Sequence, residues 1–384
     1  MTLQGSFDLA IIGAGPAGLL GAALAAGKGL RTLLIEKEPT ANRHSRSIGI
    51  HPPSLEIFSR LDLLDPLLQE GVSIRKGLAS EDGGNTLGEL DFSTLPEPFN
   101  FILTIPQWKT EMILEQHLKQ VGVHVLRGYR LTGLTLPEAP HCHLEITDSA
   151  GNRHHIEAGF ALACDGKNST TRNLLGIRFS GSSYRRRFAM ADFTDHTGFG
   201  PHAIVFLCKE GLVESFPLPG NVRRWVAGQV RGQRTGSADE LAAIIARRTG
   251  CRPDPQTCTM FSEFGVERYL AERLSRGRVM LAGDAAHVTS PIGGQGMNLG
   301  WMNMVDATDA IEQVLQGGLS AEDAGSQYDR IARKRAVKVI RRAEANMLLG
   351  SRTVFHTIRN GMVKMLLKSS VSEVLKRRFT MQGL

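Results

Sequence analysis

Six residues near the start of the chain, Gly13-Ala14-Gly15-Pro16-Ala17-Gly18, constrain its fold more than any other feature. They follow a β-rich apolar run, Phe7 to Ile12, and open a helical segment, Pro16 to Gly27. A second apolar run, Thr32 to Ile35, ends in Glu36 and Lys37. Strand, glycine turn, helix, strand and acid in that order predict a β-α-β dinucleotide-binding unit. Gly13 permits the tight turn, Gly15 leaves room for a pyrophosphate, and Gly18 lets helix and strand approach each other. The free N–H groups and positive end of the helix suit phosphate. A carboxylate at position 36 accepts hydrogen bonds from both ribose hydroxyls and repels a 2′-phosphate, so the nucleotide reads as FAD or NAD rather than NADP.

The same region holds nineteen residues without a charge, Leu9 to Gly27, long enough to cross a bilayer. Gly13, Gly15, Gly18, Gly21 and Pro16 would break a spanning helix, and Asp8 stands where a signal peptide wants a cation. The stretch reads as buried α/β core. Five cysteines with no CxxC pair argue against a disulfide framework or a structural zinc site and for a reducing compartment, so the cytoplasm is the expected location. His141, His143, His154 and His155 are expected on a sheet surface rather than on a metal. No nucleic-acid partner is expected.

The net charge of +7 is unevenly spread. Arg330 to Leu384 carries fourteen Lys and Arg against two acids, which makes this end +12 and the remainder −5. Met347, Leu348, Leu349, Met362, Met365, Leu366, Leu367 and Leu375 recur there at helical spacing. An apolar stripe packed on the body, with a basic face in water, is expected in preference to contact with a membrane surface.

Helical patterns at Pro53 to Leu64 and Lys109 to Gln120 follow the first unit, with strand patterns at Val123 to Leu126, His143 to Asp148 and Phe160 to Cys164. From Tyr184 to Phe264 the chain changes to short alternating runs between Gly and Pro turns, which predict an antiparallel sheet. A buried-strand pattern returns at Arg278 to Ala282, and long helices follow from Gly296. The expected architecture is α/β: a Rossmann-like, glutathione-reductase-like nucleotide domain with an inserted antiparallel β-sheet substrate domain and C-terminal helices. The expected boundaries are 1–72, 100–180 and 265–340 for the first, 73–99 and 181–264 for the second, and 341–384 for the tail.

A further motif lies in Gly277 to Gly300, which reads GRVMLAGDAAHVTSPIGGQGMNLG. Asp284 at a strand's carboxyl end suits a sugar-like chain. Gly293, Gly294 and Gly296 let a flat ring approach the backbone before a helix whose first N–H groups, at Met297 and Asn298, face negative charge.

The glycine fingerprint, Cys164-Asp165-Gly166-Lys167-Asn168-Ser169-Thr170-Thr171-Arg172, and Gly283-Asp284-Ala285-Ala286-His287 through Gly294-Gln295-Gly296-Met297-Asn298 resemble the three motifs of the single-component (class A) flavoprotein monooxygenases, the FAD-dependent aromatic hydroxylases of the para-hydroxybenzoate hydroxylase type. Their order and separation agree along the whole chain. The resemblance implies that Gly13, Ala14, Gly15, Pro16, Ala17 and Gly18 line the pyrophosphate and that Glu36, with Lys37 and Leu131 nearby, holds the adenosine end. Arg46 and Gln107 would be further flavin contacts, Asp165 would serve FAD and a transient nicotinamide, and Asp284 would bind the ribityl hydroxyls. Gly294, Gly296, Met297 and Asn298 would meet the pyrimidine edge, with the Pro291 carbonyl beside the reaction centre. Many relatives carry Arg where this chain has Pro53.

The implied chemistry has NADPH or NADH reduce FAD, O₂ add as a flavin 4a-hydroperoxide, and the terminal oxygen pass to a phenolic, aminoaryl or quinolone-like ring. The cofactor carries that chemistry, so a catalytic triad is not required. An FAD-dependent reductase or a flavin-bearing sequestering protein is the alternative. A halogenase does not fit, because Trp108, Trp225 and Trp301 form no WxWxIP pattern. Trp225 is the largest flat group for a substrate roof, although a core position is the commoner arrangement. The partners implied are a small aromatic substrate, O₂ and NAD(P)H, and the protein is expected as a monomer or homodimer.

Overall fold

The computed structural model describes residues 6–41, 47–136, 141–229 and 235–384. Five strands, Val279–Leu281, Arg153–Ala163, Ser6–Ile12, Thr32–Glu36 and Val125–Arg127, run parallel in that order. A parallel sheet is covered on both faces, which is why its strands are continuous apolar runs: Leu9, Ala10 and Ile11 are fully buried. The uncharged Leu9 to Gly27 stretch is divided between the first strand and the helix Pro16–Gly27. Among the described residues no helix is long and apolar enough to cross a membrane.

The fingerprint helix packs against two others, Gln107–Gln120 and Gln295–Leu315. Gly21 marks the second crossing, since a Cβ there would lie 2.7 Å from the Met304 sulfur. The Trp301 indole N–H donates to the Pro16 carbonyl at 2.9 Å, and the Phe58 ring meets Trp301 edge-on at 5.0 Å. Pro53, the departure from many relatives, lies in the first turn of the helix Pro52–Ser59, where a missing N–H costs nothing.

The second sheet has eight strands, ordered His287–Val288, Met260–Ala271, Phe179–Thr194, Val222–Gly228, Gly211–Leu218, Ala203–Cys208, Lys76–Ser80 and Thr86–Asp91. All its pairs are antiparallel except Ala203–Cys208 with Lys76–Ser80. A three-stranded sheet of Gly49–Ile50, Ile102–Thr104 and Val72–Ile74 ties it to the rest, because the Thr104 hydroxyl donates to the Pro217 carbonyl at 2.7 Å.

Both faces of the second sheet are covered. Ala189, Ala191, Val213, Trp225 and Ala227 pack under a helix, Ala238–Thr249, through Leu241 and Ile245. That helix lies in the region read from sequence as strands and turns alone. It starts with Ser237 accepting from the Glu240 N–H while Glu240 accepts from Gly236, a capping arrangement legible as S-x-x-E. Phe188, Met190, Leu212 and Val226, on the other face, meet Ile292, Met347 and Val363.

The tail forms three helices, Ala321–Leu349, His356–Lys368 and Val371–Phe379. Val363 is buried, and as expected Met347 is buried with it and Leu367 and Leu375 pack on the body. Leu348, Met362 and Met365 do not: they are 72%, 56% and 65% exposed. The apolar residues are split between two faces, and among the described residues only one face is packed against the body.

Candidate flavin site

Three neighbouring parallel strands end at the three motifs: Ser6–Ile12 at Gly13, Arg153–Ala163 at Cys164 and Asp165, and Val279–Leu281 at Gly283 and Asp284. Ligands of α/β sheets bind beyond such carboxyl ends. Backbone bonds lock the ends together, Cys164 N–H to the Ile12 carbonyl at 2.7 Å and Ala282 N–H to the Ala163 carbonyl at 2.9 Å.

The fingerprint glycines separate by role. A Cβ at Gly13, whose φ is +102°, would sit 2.3 Å from the Cys164 carbonyl oxygen, and one at Gly18 would sit 1.8 Å from that of Gly13. A Cβ at Gly15 meets nothing within 4 Å among the described residues. Gly13 and Gly18 are therefore required by packing, whereas Gly15 faces open space at a helix start that has neither a side-chain cap nor an acid in its first turn. An uncapped N-terminus behind an open glycine suits a pyrophosphate.

Glu36 is held at the end of its strand by two amides, Ala14 N–H at 2.7 Å and Glu38 N–H at 2.9 Å. Each carboxylate oxygen keeps a lone pair for a ribose hydroxyl. Lys37 is exposed beside it. Gln107, at the start of its helix, donates to Glu111 at 2.9 Å. Burial pushes the Glu111 carboxyl above its ordinary range, and Glu36 is among the charges acting on it. Leu131 is buried in the core and paired with Ile146 in the sheet. Arg46 lies outside the described residues.

Asp165 accepts from the Thr171 N–H and hydroxyl through Oδ2, at 2.9 and 3.0 Å, while its buried Oδ1 has no partner among the described residues. Arg172 joins this motif to the third one, donating to the carbonyls of Lys167 at 2.8 Å and Ala285 at 3.0 Å while its guanidinium stacks 3.8 Å from the Phe179 ring. Asp284 is exposed, yet the protein crowded around it holds its carboxyl above the ordinary range, opposed by the Lys167 charge. A group that is both solvent-facing and surrounded lies on the wall of a cleft.

Gly294, in the left-handed conformation, donates its N–H to the Pro291 carbonyl at 2.9 Å and precedes a second uncapped helix start, with Gly296, Met297 and Asn298 in its first turn. The Asn298 side chain is fully committed to backbone: it accepts from His51 N–H at 2.8 Å and donates to the carbonyls of Gly49 and Gly294. A flavin would meet its main-chain N–H instead. His51, a minor feature of the sequence, is buried against this turn with Nδ1 unpartnered, and burial lowers its pKa to about 4. Sequence gave no signal for it beyond position, because the contact spans 247 residues.

Trp225 requires a correction. It stacks on Phe206 at 6.1 Å beneath the Ala238–Thr249 helix, on the sheet face turned away from Ile292 and the glycine loop. Its neighbours in sequence face the other way. Arg224 is buried in a bidentate pair with Asp192, at 2.6 and 2.7 Å, and Val226 contributes to the face that meets Ile292. Glu214, opposite Val226 in the register, is 7% exposed, and burial alone pushes its carboxyl up to about 7, with no hydrogen-bond partner among the described residues. Glu214 was not among the site residues read from sequence, and His51 was read there only as lying just past the Arg46 loop, within reach of a flavin. An acid in an otherwise apolar strand, Gly211 to Val213 before it and Phe216 after, was the available signal for Glu214.

An open glycine cradle, two uncapped helix starts and, among the described residues, an Asp165 oxygen and an Asp284 carboxyl without hydrogen-bond partners together fit a flavin dinucleotide. A family model described as FAD binding domain matches residues 6–343. The chain belongs to that family, and FAD is its cofactor. It is 31% identical over 301 residues to rifampicin monooxygenase of Streptomyces venezuelae, covering 77% of this chain and 61% of the relative. It is 30% identical over 329 residues to the aromatic compound monooxygenase YhjG of Bacillus subtilis, covering 84% and 65%. The chain thus spans under two thirds of the length of these two relatives. The solved p-nitrophenol 4-monooxygenase PnpA of Pseudomonas putida superposes with a TM-score of 0.90 over 99% of both chains at 22% identity, which establishes a shared fold.

Proposed function

We propose that the protein is an FAD-dependent monooxygenase that uses NADPH or NADH and O₂ to hydroxylate a small aromatic molecule carrying a phenolic or amino donor. The observation that carries this reading is the juxtaposition of Ile292, just before the flavin helix start, with the apolar inner face of the second sheet. A flavin alone needs no such roof; a reaction that must exclude water does. The names of the relatives support the same class.

Residues 1–72, 100–180 and 265–340 would carry the cofactor, 73–99 and 181–264 the roof, and 341–384 the outer helices, in a monomer or homodimer. Gly15, Glu36, Asp284 and the main-chain N–H groups of Met297 and Asn298 would hold FAD, which when bound supplies hydride acceptance from the nicotinamide and oxygen activation. Phe188, Met190, Leu212 and Val226 would hold the ring and exclude water. Glu214 would accept a hydrogen bond, and then the proton, from the donor group of the ring, raising the electron density of the carbon to be hydroxylated. A carboxyl poised near neutral pH suits that exchange.

The test is a screen of phenols and aryl amines for accelerated NAD(P)H consumption by the flavin-loaded protein, with ¹⁸O₂ to trace the oxygen. Label in a hydroxylated product supports the reading. Reductant consumption that is insensitive to every aromatic, or an unlabelled product, would favour the reductase instead.

A further inference from the structure

Two surface features of the C-terminal helices take no part in the flavin site. The first is a groove of about 1030 Å³ between Ala321–Leu349 and Val371–Phe379, lined by eight Lys and Arg side chains and no acid. None of the eight is in an ion pair among the described residues, although Arg335 and Lys376 nearby both are. Arg342 lies within it with a buried Nη1 that has no hydrogen-bond partner among the described residues, and the neighbouring Arg378 charge adds to the burial that lowers its pKa. Cations crowded without counter-charge repel one another, and an anion relieves that repulsion.

The second feature is apolar. Phe355, Ile358, Met362 and Met365 are 66%, 64%, 56% and 65% exposed, and their spacing of three, four and three places them on one side of the helix His356–Lys368. The opposite side is fixed to the body: Val363 is buried, Asn360 donates to the Leu207 carbonyl at 3.3 Å, and Arg359 donates to the carbonyls of Leu207 and Cys208. The outward side is therefore held outward. Arg352, Lys364 and Lys368 are exposed around it.

The two features adjoin. The groove's helices are antiparallel, since Lys338 donates to the Gly383 carbonyl at 2.6 Å and Arg342 lies by Arg378. The end of the first helix, with exposed Leu348, therefore lies toward the start of the last, with exposed Val374, and His356–Lys368 connects those two ends. An apolar patch of this kind is unusual on a monomer, and here it borders a basic groove.

We propose that this end of the molecule is a peripheral membrane face, in which the side of the helix bearing Phe355, Ile358, Met362 and Met365 lies in the headgroup boundary of an anionic bilayer and the Arg342–Arg378 groove takes lipid phosphates. Charge complementarity selects the occupant. An in-plane helix with apolar residues on one side and Lys and Arg beside it binds anionic lipid by both terms at once. A second copy of the chain would instead bring two +12 ends together.

The experiment is sedimentation of the flavin-loaded protein with vesicles of phosphatidylglycerol in phosphatidylcholine and with vesicles of phosphatidylcholine alone. Two variants accompany it: the quadruple F355S/I358S/M362S/M365S, and R342E/R378E. Folding of each is checked by retention of flavin. The expected result is binding to anionic vesicles at least about ten-fold tighter than to neutral ones, weakened by salt, and lost in both variants. Equal binding of wild type and variants, or no binding to anionic vesicles, would overturn the proposal. So would a doubled mass by light scattering that the quadruple variant abolishes, which would make the patch an interface between copies. Release by soluble pyrophosphate with no preference for vesicles would reduce the groove to a site for a free anion and overturn it equally.

Discussion

Only Pro16 and Ala17 separate Gly15 from Gly18, yet a methyl group added at each has opposite consequences. At Gly18 it enters the Gly13 carbonyl, so Gly18→Ala is expected to destabilise the flavin-free protein by about 1–3 kcal/mol, as overpacking does, or more. At Gly15 the space is open and the backbone ordinary, with φ −77°. Gly15→Ala is therefore expected to leave urea unfolding of the flavin-free protein unchanged and to weaken FAD binding in a fluorescence titration. A stability loss at Gly15 matching that at Gly18 would make both glycines structural. Asp284→Ala should resemble Gly15→Ala, because among the described residues the carboxyl has no hydrogen-bond partner to lose. Glu214→Gln keeps the shape but cannot take up a proton, so kcat for a phenol is expected to fall by about a hundred-fold or more, the lower end of the range for a general base, while flavin content is retained. Unchanged turnover would remove Glu214 from the reaction.

At the scale of elements, the parallel sheet was legible because its strands are buried on both faces and carry motifs at fixed ends. Expected runs such as Phe7 to Ile12 and Thr32 to Ile35 match the observed strands to within a residue. The second sheet was legible as a sheet, but its sides were not. Gly211 to Ser215 is buried throughout, because a helix covers one face and the glycine loop and tail cover the other, so alternation does not mark which face meets a ligand. That choice depends on the helix Ala238–Thr249, and missing it left Trp225 unplaced. The correction predicts a contrast between neighbours. Trp225→Ala should cost about 3–5 kcal/mol of stability, the usual range for a buried aromatic. Val226→Ala, on the inner face, should instead raise the substrate KM or divert reducing equivalents to hydrogen peroxide, with a smaller loss of stability. Peroxide formation from a well-folded Trp225→Ala, together with normal coupling in Val226→Ala, would reverse the two faces. The contacts of His51 with Asn298, and of Gln295 with the Arg378 carbonyl, were beyond reach because they join segments from distant parts of the chain.

For the molecule as a whole, two buried groups place opposite demands on its response to pH. His51 has a folded pKa of about 4 against an ordinary 6.5, so the unfolded chain binds the extra proton between those values. Its contribution to stability is complete above pH 6.5 and is lost as pH falls through 4. Glu214 has a folded pKa of about 7 against 4.5, so here the folded chain binds the extra proton. Its contribution is complete below pH 4.5 and is lost as pH rises through 7. Each shift is of order 3 kcal/mol at about 1.36 kcal/mol per pH unit, and both groups are buried, so solvent screening takes little from either. Across pH 4.5 to 6.5 the two terms oppose each other, and each substitution should reveal the other group. Relative to wild type, Glu214→Gln should gain stability as pH rises from 4.5 to 7, and His51→Gln should gain it as pH falls from 6.5 to 4. The double variant should track wild type through the overlapping window if the sites are independent. Urea unfolding of flavin-free protein at a series of pH values measures all three differences. A Glu214→Gln difference that stays constant with pH would mean that the carboxyl is ionised in the folded state, and the proton-accepting role proposed for it would fall with that result.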